Sequence, residues 1–281
     1  MKLKNNSSQA KFWRVPHLDN LELLRVSNST YDYPRHIHEE YCIGLVLQGA
    51  ETHNSRGITQ TVLPGGLILI NAEEIHSNQS FRTAYRVIKI RPKVLSRLAS
   101  EVFERDSETP TFPNSVVKDP LVFRLLLNLH LKLERNVSPF EQESEFISAI
   151  GLLLARQNKN HSALKALGKE PRYVESVRDY LKSHYADNVS LAKLTAITNL
   201  SPFYLLRVFH KQVGFPPHEY QTQVRIAHAR KLLRSGSSIT EAALETGFFD
   251  QSHLSKNFKR IVGVTPGRYV SQSNIVQDAA E

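Results

Sequence analysis

The stretch FKRIVGVTPGRY, Phe258 to Tyr269, has an earlier copy in the same chain: FHKQVGFPPHEY, Phe209 to Tyr220. Phe, Val, Gly, Pro and Tyr recur at matching places, and a basic residue recurs at the third. The segments before the two copies also match. VSLAKLTAITNLSPFYLLRVF begins at Val189 and SSITEAALETGFFDQSHLSKNF at Ser237. Each reads as a short helix, a tight turn and a second helix, the spacing that a helix-turn-helix unit requires. Asn199 and Gly247 stand where the chain must turn, and both residue types tolerate the left-handed conformation. Ser201 before Pro202 caps one second helix, Asp250 caps the other, and Ser238 with Glu241 has capping-box spacing. One such pattern is weak evidence. Two in one chain, with the same trailing motif, is strong.

Between the copies, HEYQTQVRIAHARKLLRSG reads as a long connecting helix that stops at Gly236. Its Arg225 and Arg230 read as structural ion pairs in preference to phosphate contacts. On the last helix, Leu254, Phe258 and Ile261 form the buried stripe. That leaves Gln251, Ser252, His253, Lys256, Lys259 and Arg260 outside. On the earlier one, Leu205, Val208 and Phe209 pack inward, and Phe203, Leu206 and Arg207 are expected outside. Gln, Arg and Lys are the side chains that read base edges in a major groove. Gln251, Lys256 and Arg207 are therefore the expected base readers. Ser252 and His253 are expected at bases or phosphates, and Lys259 and Arg260 at phosphates. Phe203 and Leu206 would offer apolar contact to thymine methyls.

The run AALETGFFDQSHLSKNFKRIVGVTPGRY, Ala242 to Tyr269, carries a clear resemblance. Residues 172 to 270 resemble the DNA-binding domain of the AraC/XylS family of bacterial transcription regulators. The resemblance implies two helix-turn-helix units, about 190–212 and 238–261, each placing its second helix in the major groove. It also implies double-stranded promoter DNA and RNA polymerase as partners.

The other half of the chain has a different texture. Up to about residue 90 it reads as short strands broken by Arg56-Gly57 and Pro64-Gly65-Gly66. Helical segments follow from Pro92, from Asp119 to Glu134 and from Pro139 to Arg156. The fold class expected is α+β with two domains. Residues 1–160 form a cupin-like β-barrel with trailing helices, 161–171 a linker, and 172–281 an all-α domain. RHIHEEY, Arg35 to Tyr41, puts His36 and His38 on one strand face, and His76 supplies a third imidazole. This pattern resembles the metal site of cupin barrels. The carboxylate that the cupin site adds is missing, since Glu39 and Glu40 come too early and Tyr41, Cys42 and Ile43 hold its place. No metal and no cofactor are therefore expected. His36, His38, Tyr41 and His76 are expected to line a pocket for a small-molecule effector. The Leu-rich helices offer either a homodimer contact or packing on their own barrel.

The chain has 281 residues, net charge +9 and one cysteine, Cys42. A disulfide within the chain and a cysteine-built zinc site are excluded. The positive balance suits a polyanionic partner. No apolar run reaches the ~20 residues needed to span a bilayer, and the polar start lacks a secretion signal's apolar centre. A cytoplasmic protein with no membrane contact is expected. No nucleophile elbow or phosphate-cradling loop marks an enzyme. The function read from all this is a sequence-specific DNA-binding regulator, an activator that answers to an effector. The alternative is a cupin-type metalloenzyme or metal sensor using His36, His38 and His76.

Overall fold

Three long strands shape the first half of the structure, a computed structural model describing residues 9–104, 109–135, 137–157, 167–168 and 170–271. They are β2 (Leu21–His36), β3 (Tyr41–Ser55) and β6 (His76–Ile90). With β1 (Gln9–Val15), β4 (Ile58–Val62), β5 (Leu67–Ile70) and β7 (Val116–Val117), they make one antiparallel, cupin-like sheet in the order β1-β2-β6-β3-β5-β7, with β4 on β3. Strands this long do not stay flat. The β2–β6 register shifts between Val26 and Ser29 and again towards His36, and the β3–β6 register shifts around Gln48. Such bulges bend a strand and increase its twist. Gly49 sits in the second break at φ 77°, where an added Cβ would stand 2.4 Å from the Arg82 carbonyl oxygen. Only glycine fits there.

Alternation along the strands sorts the core into two faces. Ile43, Leu45, Leu67, Leu69 and Ile88 are fully buried on one face. Their neighbours Cys42, Val46, Ile68 and Ile70 cluster with Val62 on the other. Helices α1 (Pro92–Phe103), α2 (Pro120–Leu133) and α3 (Pro139–Gln157) complete this half. Each begins with Pro in its first turn, as the sequence suggests, and α2 is capped by the Asp119 carboxylate accepting from Val122 N–H at 3.2 Å.

A polar clamp joins α2 to the sheet. The Glu134 carboxylate meets Arg25 at 2.6 Å, Arg86 at 2.9 Å and Lys11 at 3.3 Å. His130, fully buried, donates Nε2–H to the Leu24 carbonyl at 3.2 Å and accepts from Arg86 at Nδ1, 2.8 Å away. That arrangement needs a neutral ring. Burial, and then the Arg86 charge, pull the His130 pKa down to about 4.

The second half is all helix: α4 (Pro171–Ser183), α5 (Leu191–Thr198), α6 (Pro202–Val213), α7 (Pro217–Arg234), α8 (Ile239–Glu245) and α9 (Gln251–Val262). Residues 266–271 add a last helical turn. The chain divides into two compact units, Met1–Ala166 and Leu167–Glu281. Most of the linker expected at 161–171 lies outside the described residues.

The repeated motif now has a physical meaning. Gly214 and Gly263 close α6 and α9 in the left-handed conformation, at φ 85° and 91°. Pro217 and Pro266 then open the next helical segments. The Tyr at each motif's end returns to the Phe at its start. Phe209 and Tyr220 rings meet edge-on at 5.8 Å, and Phe258 and Tyr269 at 5.3 Å. Each copy is thus a helix end, a stop, a restart and a ring pair that locks them together.

A buried neutral histidine gives a pH prediction. Its contribution is complete above the unfolded pKa of about 6.5 and is lost as pH falls towards about 4. His38, His53 and His76 are depressed by burial too and act in the same direction. Melting temperature should fall between about pH 7.5 and about pH 5, and His130→Gln should fall less steeply. Identical slopes in differential scanning calorimetry would show that His130 is not part of the effect.

Candidate DNA interface and effector pocket

Both short helix–turn–helix pairs are built by local sequence. Ser190 caps α5, Ser201 caps α6, Ser238 with Glu241 forms a complete capping box on α8, and Asp250 caps α9. Asn199 takes φ 53° and Gly247 φ 75° in the turns. Buried Thr198 and Thr246, matched between the copies, donate to the carbonyls of Leu194 and Ala242 at the ends of α5 and α8. The threonines had escaped the reading of the repeat, because a Thr late in a helix carries no signal by itself.

The two pairs are tied by one loop, residues 184–188, between α4 and α5. Arg225 on α7 donates to the carbonyls of Tyr185 at 2.6 Å and Asp187 at 2.9 Å. Gln221 donates to the carbonyls of His184, Tyr185 and Asp187 at 3.1–3.3 Å. From the other side, Gly247 presses on the loop so closely that a Cβ would stand 2.2 Å from the Ala186 oxygen. The Arg225 guanidinium also lies 5.9 Å from the Phe248 ring. Arg225 is therefore a structural residue, but it holds carbonyls where an ion pair was expected. Arg230 is exposed and lies beside Tyr269, 5.6 Å from the ring centre.

On α9 the buried residues are Leu254 and Phe258, with Ile261 partly covered. Gln251, Ser252, Lys256, Lys259 and Arg260 are exposed. His253 is half-buried, its ring edge-on to Phe248 at 5.3 Å. Gln251 accepts from the Thr240 hydroxyl at 3.1 Å, and Arg260 donates to Asn257 at 3.0 Å. Both contacts are exposed and exchange readily for other partners.

On α6 the structure corrects the sequence. Phe203 and Leu206, expected outside, are each only 3% exposed. A helix with neighbours on several sides buries more than one stripe, and α6 packs against α4, α5 and α7. Phe203 to Leu206, Val208 and Phe209 are all buried in consequence. Arg207 is half-buried, with its guanidinium 5.4 Å from the Phe203 ring.

In the first unit, a cavity of about 180 Å³ opens on the sheet face that carries Cys42, Val46, Ile68 and Ile70. His36, His38 and His76 line it. β2 ends at His36, so His38 lies just beyond the strand. Its ring centre is still 6.0 Å from that of His36 and 4.8 Å from that of His76. His36 and His76 are cross-strand partners, with ring centres 4.2 Å apart. Burial lowers the pKa of His38, and that of His76 to about 4.

Tyr41 is a correction. It does not line the cavity; it is 2% exposed, donates its hydroxyl to the Pro110 carbonyl at 2.6 Å and packs on Phe112. The reason is strand parity, which sends Tyr41 and Ile43 to the opposite face from Cys42. The cavity's other polar groups carry no sequence signal. The Tyr33 and Tyr85 hydroxyls meet at 2.8 Å. Buried Glu51 accepts from Asn78 at 2.9 Å and Ser80 at 3.0 Å, and burial pushes its pKa up. Behind the lining, His53 donates Nδ1–H to Asn78 at 2.9 Å.

Comparison with known proteins agrees with both halves. Residues 20–150 match the family described as AraC-like ligand binding domain, and residues 194–272 match a helix-turn-helix domain family. The HTH-type transcriptional regulator YbfI of Bacillus subtilis is 32% identical over 85% of this chain and 87% of its own. The HTH-type transcriptional activator RhaS of Escherichia coli is 26% identical over 84% of this chain and 86% of its own. Among solved structures, the DNA-binding domain of AdpA in complex with a target DNA covers 37% of this chain and 96% of its own at 23% identity, with TM-score 0.36.

The approach of Gly247 to Ala186 can be weighed directly. Gly247→Ala suffers both positive φ and a backbone collision, whereas Gly214→Ala, with nothing within 4 Å of the added Cβ, suffers only the first. In urea melts of the full chain, Gly247→Ala should be the less stable by about 1–3 kcal/mol. Equal losses would mean that the loop contact contributes nothing.

Proposed function

The chain belongs to the AraC family of transcription regulators, and from that premise we propose how its two units divide the work. The protein is a DNA-binding regulator and not an enzyme. α6 and α9 each enter a major groove of promoter DNA, and α9 does most of the base reading. The observation that carries this is the row of exposed polar side chains at the start of α9, on a helix whose opposite stripe is buried. Gln251 and Lys256 read base edges, Ser252 and His253 lie at the groove wall, and Lys259 and Arg260 meet phosphates. α6 contributes Arg207 alone, since burial withdraws Phe203 and Leu206.

The cavity in the first unit takes a small effector, which changes how the second unit is presented to DNA. Its apolar wall and few polar groups suit that use. Activation is supported by the likeness to RhaS, by name an activator, and would act on RNA polymerase at the promoter. Leu121 on α2 is exposed, which leaves an outer apolar position for a homodimer contact. No helix of the described residues is long and apolar enough to cross a membrane, in keeping with a cytoplasmic regulator.

Bound promoter fragments, mapped first on genomic DNA, allow the test. Gln251→Ala, Lys256→Ala and Arg207→Ala should each cost about 1–3 kcal/mol and relax preference at one base position. Lys259→Ala and Arg260→Ala should weaken all sequences alike and flatten the salt dependence by about one counterion each. Unchanged base preference in the first three variants would remove them as readers. A melting shift of the full chain with candidate effectors, lost when Glu51 or Tyr85 is replaced, tests the cavity.

A further inference from the structure

Three hydrogen bonds in the first unit share one form. His36 Nδ1 lies 2.8 Å from the Pro34 carbonyl oxygen, His38 Nδ1 2.7 Å from that of Glu40, and His76 Nδ1 2.9 Å from that of Glu74. A carbonyl oxygen only accepts, so each Nδ1 must carry the hydrogen. In the neutral ring this leaves each Nε2 as an acceptor lone pair. One ligand atom from each of the three rings lies within 4.8 Å of the others. Each ring is steered by a backbone carbonyl two residues away.

We propose that His36, His38 and His76 bind one divalent transition-metal ion through their Nε2 atoms, beside the cavity that all three line. A ligating imidazole that donates its other N–H to a carbonyl is the usual support for a metal site, because it fixes the tautomer and the ring's direction. Bonds of about 2.0–2.1 Å from zinc to imidazole nitrogen bring neighbouring ligand atoms within about 3.4 Å. Ligand atoms that lie within 4.8 Å of one another must therefore draw together by up to about 1.4 Å around the ion. The missing carboxylate is no obstacle, since three protein ligands with an open position are a recurrent set. Cys42 is a neighbour, its sulfur 3.1 Å from His38 Nε2, but it falls outside the mutually close group. Use of the open position to hold an effector's oxygen or nitrogen atom rests on the effector reading above; the ion's binding does not.

Full-length protein, stripped with chelator, should be titrated with Co²⁺ and, separately, Zn²⁺. One equivalent per chain should bind, cobalt giving visible absorption bands without a thiolate charge-transfer band. His36→Ala and His38→Ala should each weaken binding by more than about tenfold, while Cys42→Ser should leave it unchanged. His36 is exposed, so its variant keeps the fold and carries the test if His76→Ala does not fold. Wild-type uptake no greater than that of His36→Ala would overturn the proposal, as would loss of the ion in Cys42→Ser. Promoter binding by the stripped protein and effector melting shifts are measured alongside. A missing effector shift with cobalt still bound fails the effector reading and leaves the metal site standing.

Discussion

The second unit depends on the loop between α4 and α5 being held from two sides. Its carbonyls point at α7, where Arg225 and Gln221 supply five donor contacts between them. Its Ala186 backbone meets Gly247 in the second helix-turn-helix at a distance no side chain would permit. Arg225 and Gln221 are themselves buried, and a buried donor left without its acceptor costs roughly 1–3 kcal/mol, so this loop cannot swing away from α7 cheaply. The turn of the second helix-turn-helix is docked on the loop that leads into the first. The two helix pairs are referred to α7 by these carbonyl contacts together with the apolar core that α7, α8 and α9 share around Ile226, Ala229, Leu254 and Phe258.

That arrangement explains why the two copies have diverged. α9 needs one buried stripe, for α7 and α8, and its outer face is polar. α6 stands among α4, α5 and α7. Phe203 and Leu206 stand where α9 has Ser252 and Ser255. The duplicated motif kept what each unit needs by itself: the Phe–Tyr ring pair, the left-handed glycine and the proline restart. It did not keep the outer face, which is set by what surrounds each helix.

Features that depend on a few neighbouring residues were legible in the sequence. The caps at Ser201, Ser238 and Asp250, the left-handed turns at Asn199 and Gly247, and the helices opened by Pro92, Pro120 and Pro139 all rest on local rules. Features that depend on distant chain were not. Phe203 and Leu206 fall outside the stripe of a single helix, yet neighbours bury them. Tyr41 sits one residue from Cys42, and that one residue decides which face of the sheet it occupies. Arg225 looked like half of an ion pair because sequence spacing reveals charges and hides carbonyls. Glu51, Asn78 and the Tyr33–Tyr85 pair come together only once β2, β3 and β6 pair across long stretches of chain.

The same physical device works in both units. In the second, side-chain donors from α7 hold the carbonyls of the loop that leads into α5. In the first, carbonyls two residues away accept from His36, His38 and His76 and so fix where their Nε2 atoms point. His130 repeats it, donating to Leu24 and thereby presenting its other nitrogen to Arg86. In each case a carbonyl's fixed direction is converted into the orientation of a group that has another task. Orientation obtained this way rests on single directed bonds, which leaves the cavity's apolar wall and the polar outer face of α9 accessible.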